Sequence, residues 1–516
     1  MLGSIIHFAV CYGLLQGTIA TALPPTSQPQ SQCKPVPGSA NWPAKAQWRT
    51  LNSTVSGRLK APYAPGAVCH PKLSAFNNAS CSALVIAWTN SSWQESNAWT
   101  SMYNDDTCVP ITDSPCSTAG YPAYVIEAET VADVQAGIKF AYQTGVRLIV
   151  KGTGHDAPGH SAGAGSLSIW THLLRGINVT RHASLAAKHD AVASVKLGAG
   201  MVWGDIYTEM AKANLTVIGG ADPHVGVGGW TQGSGHGPIS SYYGLGADQV
   251  LEMEVITADG EHRIINSASY SDLFWAMRGG GPSTYAVMLP MTVKAYPQLQ
   301  GVQYVYKYNF TGSSDAFWNF VAVFSSRLPR LSEQGGMGYY YLVPNSGPSN
   351  DGGVVEGSFL FPNKSQVAAQ TLTQSLERAL SESCRATGSI NFGSEYFNFS
   401  SFMRFWSSTN GPESVGKDTR YGSWLMDGPA LTHNTTKLRD TLRATGPWIW
   451  IGHLVAGPGV RNAKPVGGSD AVLPAWRKAY VHLRRSHPQG TYVYKLIIFF
   501  SYDPDVDSPE QHGKGT

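Results

Sequence analysis

The pattern of apolar positions changes character near residue 120. Upstream of Gly120 the chain is rich in cysteine and proline and shows little periodicity, which reads as a disulfide-stapled segment. Downstream, AYVIEAE (123–129) has the alternation of a strand. Thr130, with Asp133 three residues on, is a capping signature, and Val131, Val134, Ile138 and Ala141 share one helical face. RLIVKG (147–152) reads as a second strand, so 123–152 predicts a β-α-β unit. SLSIWTHL, ASVKLGAG and QVLEMEVITADGEHRII read as further strands, the last a hairpin turning at Ala258-Asp259-Gly260. SYSDLFWAM (269–277) predicts a helix stopped by glycines 279–281. Beyond Pro297, VQYVYKYNF, GMGYYYLVP and VEGSFLF alternate as strands, and Gln366–Leu380 reads as a helix. The predicted fold class is α+β. No fixed-period repeat is apparent.

The chain's ends modify this picture. An apolar run followed by Ala20-Thr21-Ala22 predicts a cleaved secretion signal over 1–22, then a flexible Pro/Ser/Gln leader. Asn52, Asn78, Asn90, Asn178, Asn214, Asn309, Asn363, Asn398 and Asn434 each open an N-x-[ST] triplet, as in a glycosylated extracellular chain. Loss of the signal removes Cys11 and leaves six cysteines. Neighbours along the chain suggest Cys69–Cys81 and Cys108–Cys116, leaving Cys33–Cys384 by exclusion; the alternative is that one pair stays reduced.

Charge excludes some partners. At 516 residues the chain predicts two or three domains, and its net charge of +3 with 14% charged residues includes no basic run. Nucleic acid and anionic membrane are therefore poor partners. The chain has no CxxC, HExxH or GxxxxGK[ST], which leaves metal and P-loop chemistry without support. His155/His160 and His224/His236 are the histidine pairs nearest to a metal pattern, and neither sits in an acidic cluster; no metal is expected.

Glycine is concentrated in three places: VKGTGH, GGADPHVGVGGWTQGSGHG and MRGGGPSTYA. Several such loops can bring many backbone N–H groups against a long anionic ligand without a lysine. RGGGP follows a helix rather than a strand, so it is not a Rossmann turn.

Taken in order, VKGTGHDAPGHSAGAGSLSIWTHLL, GGADPHVGVGGWTQGSGHG, YGLGADQVLEMEVITADG and DLFWAMRGGGPSTYAVM resemble the FAD-linked oxidases of the vanillyl-alcohol-oxidase type. Within them the chain is similar to the berberine-bridge-enzyme-like branch, and especially to secreted fungal isoamyl-alcohol-oxidase-like proteins. The resemblance covers roughly residues 40 to 490. It implies a PCMH-type FAD-binding domain over 120–298, in two subdomains dividing near 187, after a stapled segment at 23–119. A substrate domain with an antiparallel sheet would follow over 299–492.

The resemblance also assigns residues. His155 would be joined to the FAD 8α carbon, which holds the flavin and raises its reduction potential. Amides at Gly152, Thr153, Gly154 and Asp156 would face the pyrophosphate. Gly219, Gly220, Val225, Gly228, Gly229, Trp230, His236 and Val255 would complete the cofactor site. Asp222 stands where some members carry a second, cysteinyl tether, so a single attachment is expected. Val225 holds the position that governs oxygen access, where valine accompanies oxidases. Trp230 replaces a histidine found in plant members, and His160 is expected to be structural.

The implied reaction is hydride transfer from an alcohol, sugar or secondary metabolite to FAD, with O2 as acceptor giving H2O2, in a monomer. A quinone-reducing dehydrogenase and an inactive flavin- or carbohydrate-binding protein are the alternatives. The proton acceptor stays unassigned; Tyr339 and Tyr341, on one face of a strand, are the candidates. Residues 493–516 depart from the family's ending and are expected to be an aberrant tail from a truncated or mis-spliced gene.

Overall fold

The computed structural model describes residues 33–61, 63–102, 107–181, 191–344, 351–409, 411–412, 415–416, 419–444, 446 and 448–488. The expected signal, leader and aberrant tail lie outside these residues. No described helix is long and apolar enough to cross a membrane.

Three sheets follow one another along the chain. The first holds β1 (Leu59–Lys60), β2 (Tyr124–Glu127), β3 (Leu148–Lys151) and β4 (Leu167–Trp170), in the order β1-β2-β4-β3. The expected β-α-β strands are present, but they are not neighbours: β4 lies between them and pairs parallel with both. The helix between them, Val131–Thr144, begins at the expected capping box. Asp133 donates its N–H to Thr130 Oγ1 at 3.3 Å, and Asp133 Oδ2 accepts the Thr130 N–H at 2.9 Å. Asp133 also takes a two-point hydrogen bond from Arg58 (2.9 and 3.2 Å), which ties β1 to this helix. Trp48, Leu51, Val134, Ile138 and Ile169 form the core beneath.

The segment before residue 120 contains more order than its periodicity suggests, with helices at Lys45–Thr54, Asn78–Ala87 and Ser91–Glu95. Asn77 and Asn90 cap the last two through their side chains, and such short helices carry too few turns to show a period. Disulfides join Cys69–Cys81 and Cys108–Cys116 as expected. The pairing of Cys33 with Cys384 does not form. Cys33 is exposed and free, and Cys384 is buried and free on the helix Gln366–Cys384, so elimination fails once a pair is left reduced.

The second sheet is antiparallel: β5 (Ile177–Arg181), β6 (Ala193–Leu197), β7 (Leu215–Thr216), β8 (Val250–Thr257), β9 (His262–Asn266) and β10 (Ala286–Pro297). Its order is β5-β6-β10-β8-β9, with β7 on β10. The β8–β9 hairpin closes at Gly260, whose φ of +81° suits the turn. The predicted 269–277 helix runs Ser271–Ala276, and positive φ at Gly279 and Gly281 follows it.

The third sheet is antiparallel too: β11 (Gly301–Gly312), β12 (Met337–Pro344), β13 (Gly353–Pro362), β14 (Gly388–Phe399), β15 (Thr419–Asp427), β16 (Trp450–Leu454) and β17 (Ala479–Pro488). Its order is β14-β11-β13-β12-β16-β17-β15. Strand alternation gives it two faces. Tyr340, Leu342, Trp450, Leu454, Val481 and Leu483 pack into a core with the helix Ser314–Glu333. Their sequence neighbours point the other way, toward the second sheet. Arg477 clasps the two regions together, donating to both oxygens of Asp248 (2.9 and 2.8 Å) and to Asp470 (2.9 Å).

Candidate active site

A cavity of about 510 Å³ opens between the glycine loops and the outward face of the third sheet. That volume lies within the range of small-molecule and cofactor sites, roughly 300–1,000 Å³.

The loop leaving β3 forms one wall. Lys151 is buried, and its ammonium donates to the carbonyls of Asn97 and Thr100, both at 2.5 Å, which pins the loop to the stapled segment. Gly154 then turns at φ +81°; a Cβ there would lie 2.8 Å from Lys151 Cε. This turn presents His155, whose side chain is 12% exposed and whose Nε2 lies 3.8 Å from Asp222 Oδ1. Asp222 is held in turn, accepting the His224 N–H at 2.7 Å. His224 Nδ1 lies 3.2 Å from Glu95, and that hydrogen bond, opposed by burial, raises the imidazole's pKa. Asp156 accepts the Ser161 N–H at 2.6 Å, while His160 sits 3.6 Å from Asp156 at the exposed rim.

The second wall is the segment 219–238 around the short helix Val227–Gln232. Trp230 anchors it, donating to the His236 carbonyl at 3.0 Å and packing edge-on against Trp203. The glycines here divide into two kinds. A Cβ on Gly219 would strike the Trp203 ring at 2.1 Å, and one on Gly237 would strike the Gly219 carbonyl at 1.8 Å, so both serve internal packing. Gly229 would meet nothing within 4 Å, and Gly152 only Thr171 at 4.0 Å; these two leave room in the cavity.

Most of the residues assigned from sequence come together here. Gly152, Thr153, Gly154, His155, Asp156, Gly220, Val225, Gly228, Gly229, Trp230 and His236 all line the cavity, as do Tyr339 and Tyr341 opposite. Gly219 and Val255 do not. Gly219 is occupied by Trp203, and Val255 is buried in the core of the second sheet.

The third wall was only partly legible. On the outward face of the third sheet, register sets Tyr339 (β12) opposite His453 (β16), and His453 opposite His482 (β17). The adjacent row sets Tyr341 opposite Ile451, and Ile451 opposite Arg484. His453, His482 and Arg484 escaped sequence reasoning. Their signal was the alternation in WIGHL and AYVHLRR, which puts each on the face opposite Leu454, Val481 and Leu483. The rings of Tyr339 and His453 lie 4.8 Å apart, and His236 packs on both His453 and His482 at 5.1 Å. Burial holds His236 and His453 well below the usual imidazole pKa and lowers His482 to about 4, with Arg484 adding to each shift. All three are neutral at pH 7.

Residues 122–266 match the model of the FAD binding domain family. The FAD-linked oxidoreductase ZEB1 of Gibberella zeae is 32% identical over 492 residues, 92% of this chain and 81% of that protein. The chain belongs to the FAD-linked oxidoreductases. The bifunctional decalin synthase calF of Penicillium decumbens is 32% identical over 482 residues, 89% of this chain and 80% of that protein. The solved VAO-type flavoprotein MtVAO713 of Myceliophthora thermophila C1 superposes with a TM-score of 0.81 at 28% identity, over 90% of this chain and 85% of that one. The α+β class and the oxidoreductase assignment therefore stand, with FAD as cofactor. The walls fit such a group through a glycine cradle open at Gly152 and Gly229 and through His155 in the cavity lining, but the Asp156 N–H, expected to face the pyrophosphate, is instead donated to the Gly154 carbonyl at 2.9 Å.

Proposed function

We propose that this FAD-linked oxidoreductase is an oxidase that holds FAD through a single covalent bond at His155 and oxidises a small alcohol, sugar or secondary metabolite with O2. The observation that carries the reading is the position of His155 in the cavity wall, across from the Tyr339–His453 row. Bound FAD supplies a two-electron acceptor. The Gly152–Asp156 loop and the 219–238 segment bind and orient it. Val225 lines the same cavity, at the position where the resemblance pairs valine with oxidases, which supports O2 over a quinone as acceptor.

Tyr339 is the proposed proton acceptor. An alcohol carbon gives up hydride readily only as its hydroxyl proton leaves, and Tyr339 faces the cavity with the His453 ring behind it. The balance is simple: the alcohol loses one proton and one hydride to become a carbonyl, and O2 takes two electrons and two protons to become H2O2.

Secretion and glycosylation belong to the same proposal. Asn78, Asn90, Asn178, Asn214, Asn363, Asn398 and Asn434 are exposed, while Asn52 and Asn309 are half-buried. The domain limits near 119, 298 and 492 are likewise proposed.

Acid precipitation tests the assignment. Yellow colour should stay with the wild-type pellet and leave it in His155→Ala. A colourless wild-type pellet rejects covalent attachment, and a protein purified without flavin supports the inactive binding protein. Comparing H2O2 yield with dye reduction separates the oxidase from a quinone-reducing dehydrogenase.

A further inference from the structure

We propose that Arg484, with His236, His453 and His482, forms a carboxylate-binding subsite at the third-sheet end of the cavity, so that the substrate is an oxidisable organic acid. Its relevance to substrate rests on the flavin reading above. The geometry comes from three separate elements: His453 and His482 stand opposite each other in register, and His236 reaches in from the segment after the helix Val227–Gln232. Ring centroids lie 5.1, 5.1 and 5.3 Å apart, and one nitrogen of each ring lies within 4.8 Å of the others. The Nδ1 of each is buried and has no hydrogen-bond partner among the described residues. Buried polar atoms are ordinarily satisfied, so three converging ring nitrogens call for a ligand.

Two kinds of ligand could meet them. A divalent cation would use three lone pairs, as in a three-histidine zinc site. An anion would instead accept hydrogen bonds from the ring N–H groups. Arg484 decides between the two. It lies two residues beyond His482 on the same strand face and lines the same cavity, and its charge already opposes protonation of all three imidazoles. A divalent ion would meet stronger repulsion, and the three-histidine group contains no carboxylate to offset it. A carboxylate reverses each of these signs and suits the planar guanidinium fork. Trp476 packs against His236 and His482, both at 5.5 Å, and Tyr339 flanks His453, so aromatic rings enclose the subsite.

The test uses the purified holoprotein and three similar probes: phenylacetate, phenylacetamide and 2-phenylethanol. Calorimetry should show phenylacetate binding at least roughly tenfold tighter than the other two. Its binding should perturb the flavin absorbance, and Arg484→Gln should abolish the preference. If Arg484→Gln loses flavin or its melting transition, Arg484→Lys carries the test, with a reduced but persisting preference. Equal affinity for the three probes, or a preference unchanged in either variant, overturns the subsite. So does stoichiometric Zn2+ binding that is lost in His453→Ala, which would make the cluster a cation site. Because calorimetry needs no chromophore, a colourless protein that still prefers phenylacetate rejects the flavin reading alone.

Discussion

His155 Nε2 and Asp222 Oδ1 lie 3.8 Å apart across the cavity wall, joining the residue proposed to carry the flavin to the one at the second-tether position. A thiol at 222 would therefore stand beside His155. The variant Asp222→Cys is expected to attach flavin at a second point. In a combined Asp222→Cys/His155→Ala protein, yellow colour should remain in the acid pellet, whereas His155→Ala alone releases it. Flavin found wholly in the supernatant of the double variant would refute the placement.

Tyr339 and Tyr341 share a strand face, yet only Tyr339 sits opposite His453. Tyr339→Phe should lower kcat by about 10²–10⁴-fold with flavin content unchanged, the usual range for loss of a proton-transfer group. Tyr341→Phe should change it by less than about tenfold. Equal effects in steady-state assays would remove Tyr339 from the role.

The glycines that pack should differ in phenotype from those that make room. Gly237→Ala forces a Cβ to within 1.8 Å of the Gly219 carbonyl and should destabilise the fold by about 1–3 kcal/mol, lowering Tm. Gly229→Ala meets nothing within 4 Å and should leave Tm in place while reducing bound flavin. A matched loss of Tm in both would contradict this division.

Asp470 gives the stability a pH dependence. Burial first, and then the neighbouring Asp248 carboxylate, push its pKa up to about 6 against the pull of Arg477. Folded protein thus holds this proton more tightly than unfolded chain, whose aspartate titrates near ~3.9. The stabilisation is full below about pH 4 and is lost as the pH rises through 6. Its size is at most about 3 kcal/mol. Denaturant titrations of Asp470→Asn should show a flatter stability profile than wild type between those pH values; parallel profiles would dismiss the assignment.

The two free thiols should behave oppositely. Cys33 is exposed and should be alkylated in native protein. Cys384 is buried, and burial raises its thiol pKa, so it should react only after unfolding. Peptide mapping that finds both protected, or joined, would restore the excluded pairing.

What the sequence revealed was mostly local. The Thr130–Asp133 cap, the Gly260 turn and the two short disulfide loops each depend on residues a few positions apart. The insertion of β4 between β2 and β3 has no such signature, because parallel pairing leaves no turn to read. The same holds for the third wall of the site. His453 and His482 are neighbours only through the β16–β17 register, and Arg484 joins them because alternate residues share a face. Most of the cofactor-site residues that the resemblance named line the cavity; Gly219, packed on Trp203, and Val255, in the core, do not.

The two-faced third sheet separates selection for folding from selection for substrate. Residues 340, 450, 454, 481 and 483 face the core, whereas 339, 341, 451, 453 and 484 line the cavity. A lineage can therefore exchange the second set while the first stays fixed, much as type is reset in a standing frame. Paralogues would be expected to diverge in substrate at these alternating sites while sharing one melting behaviour.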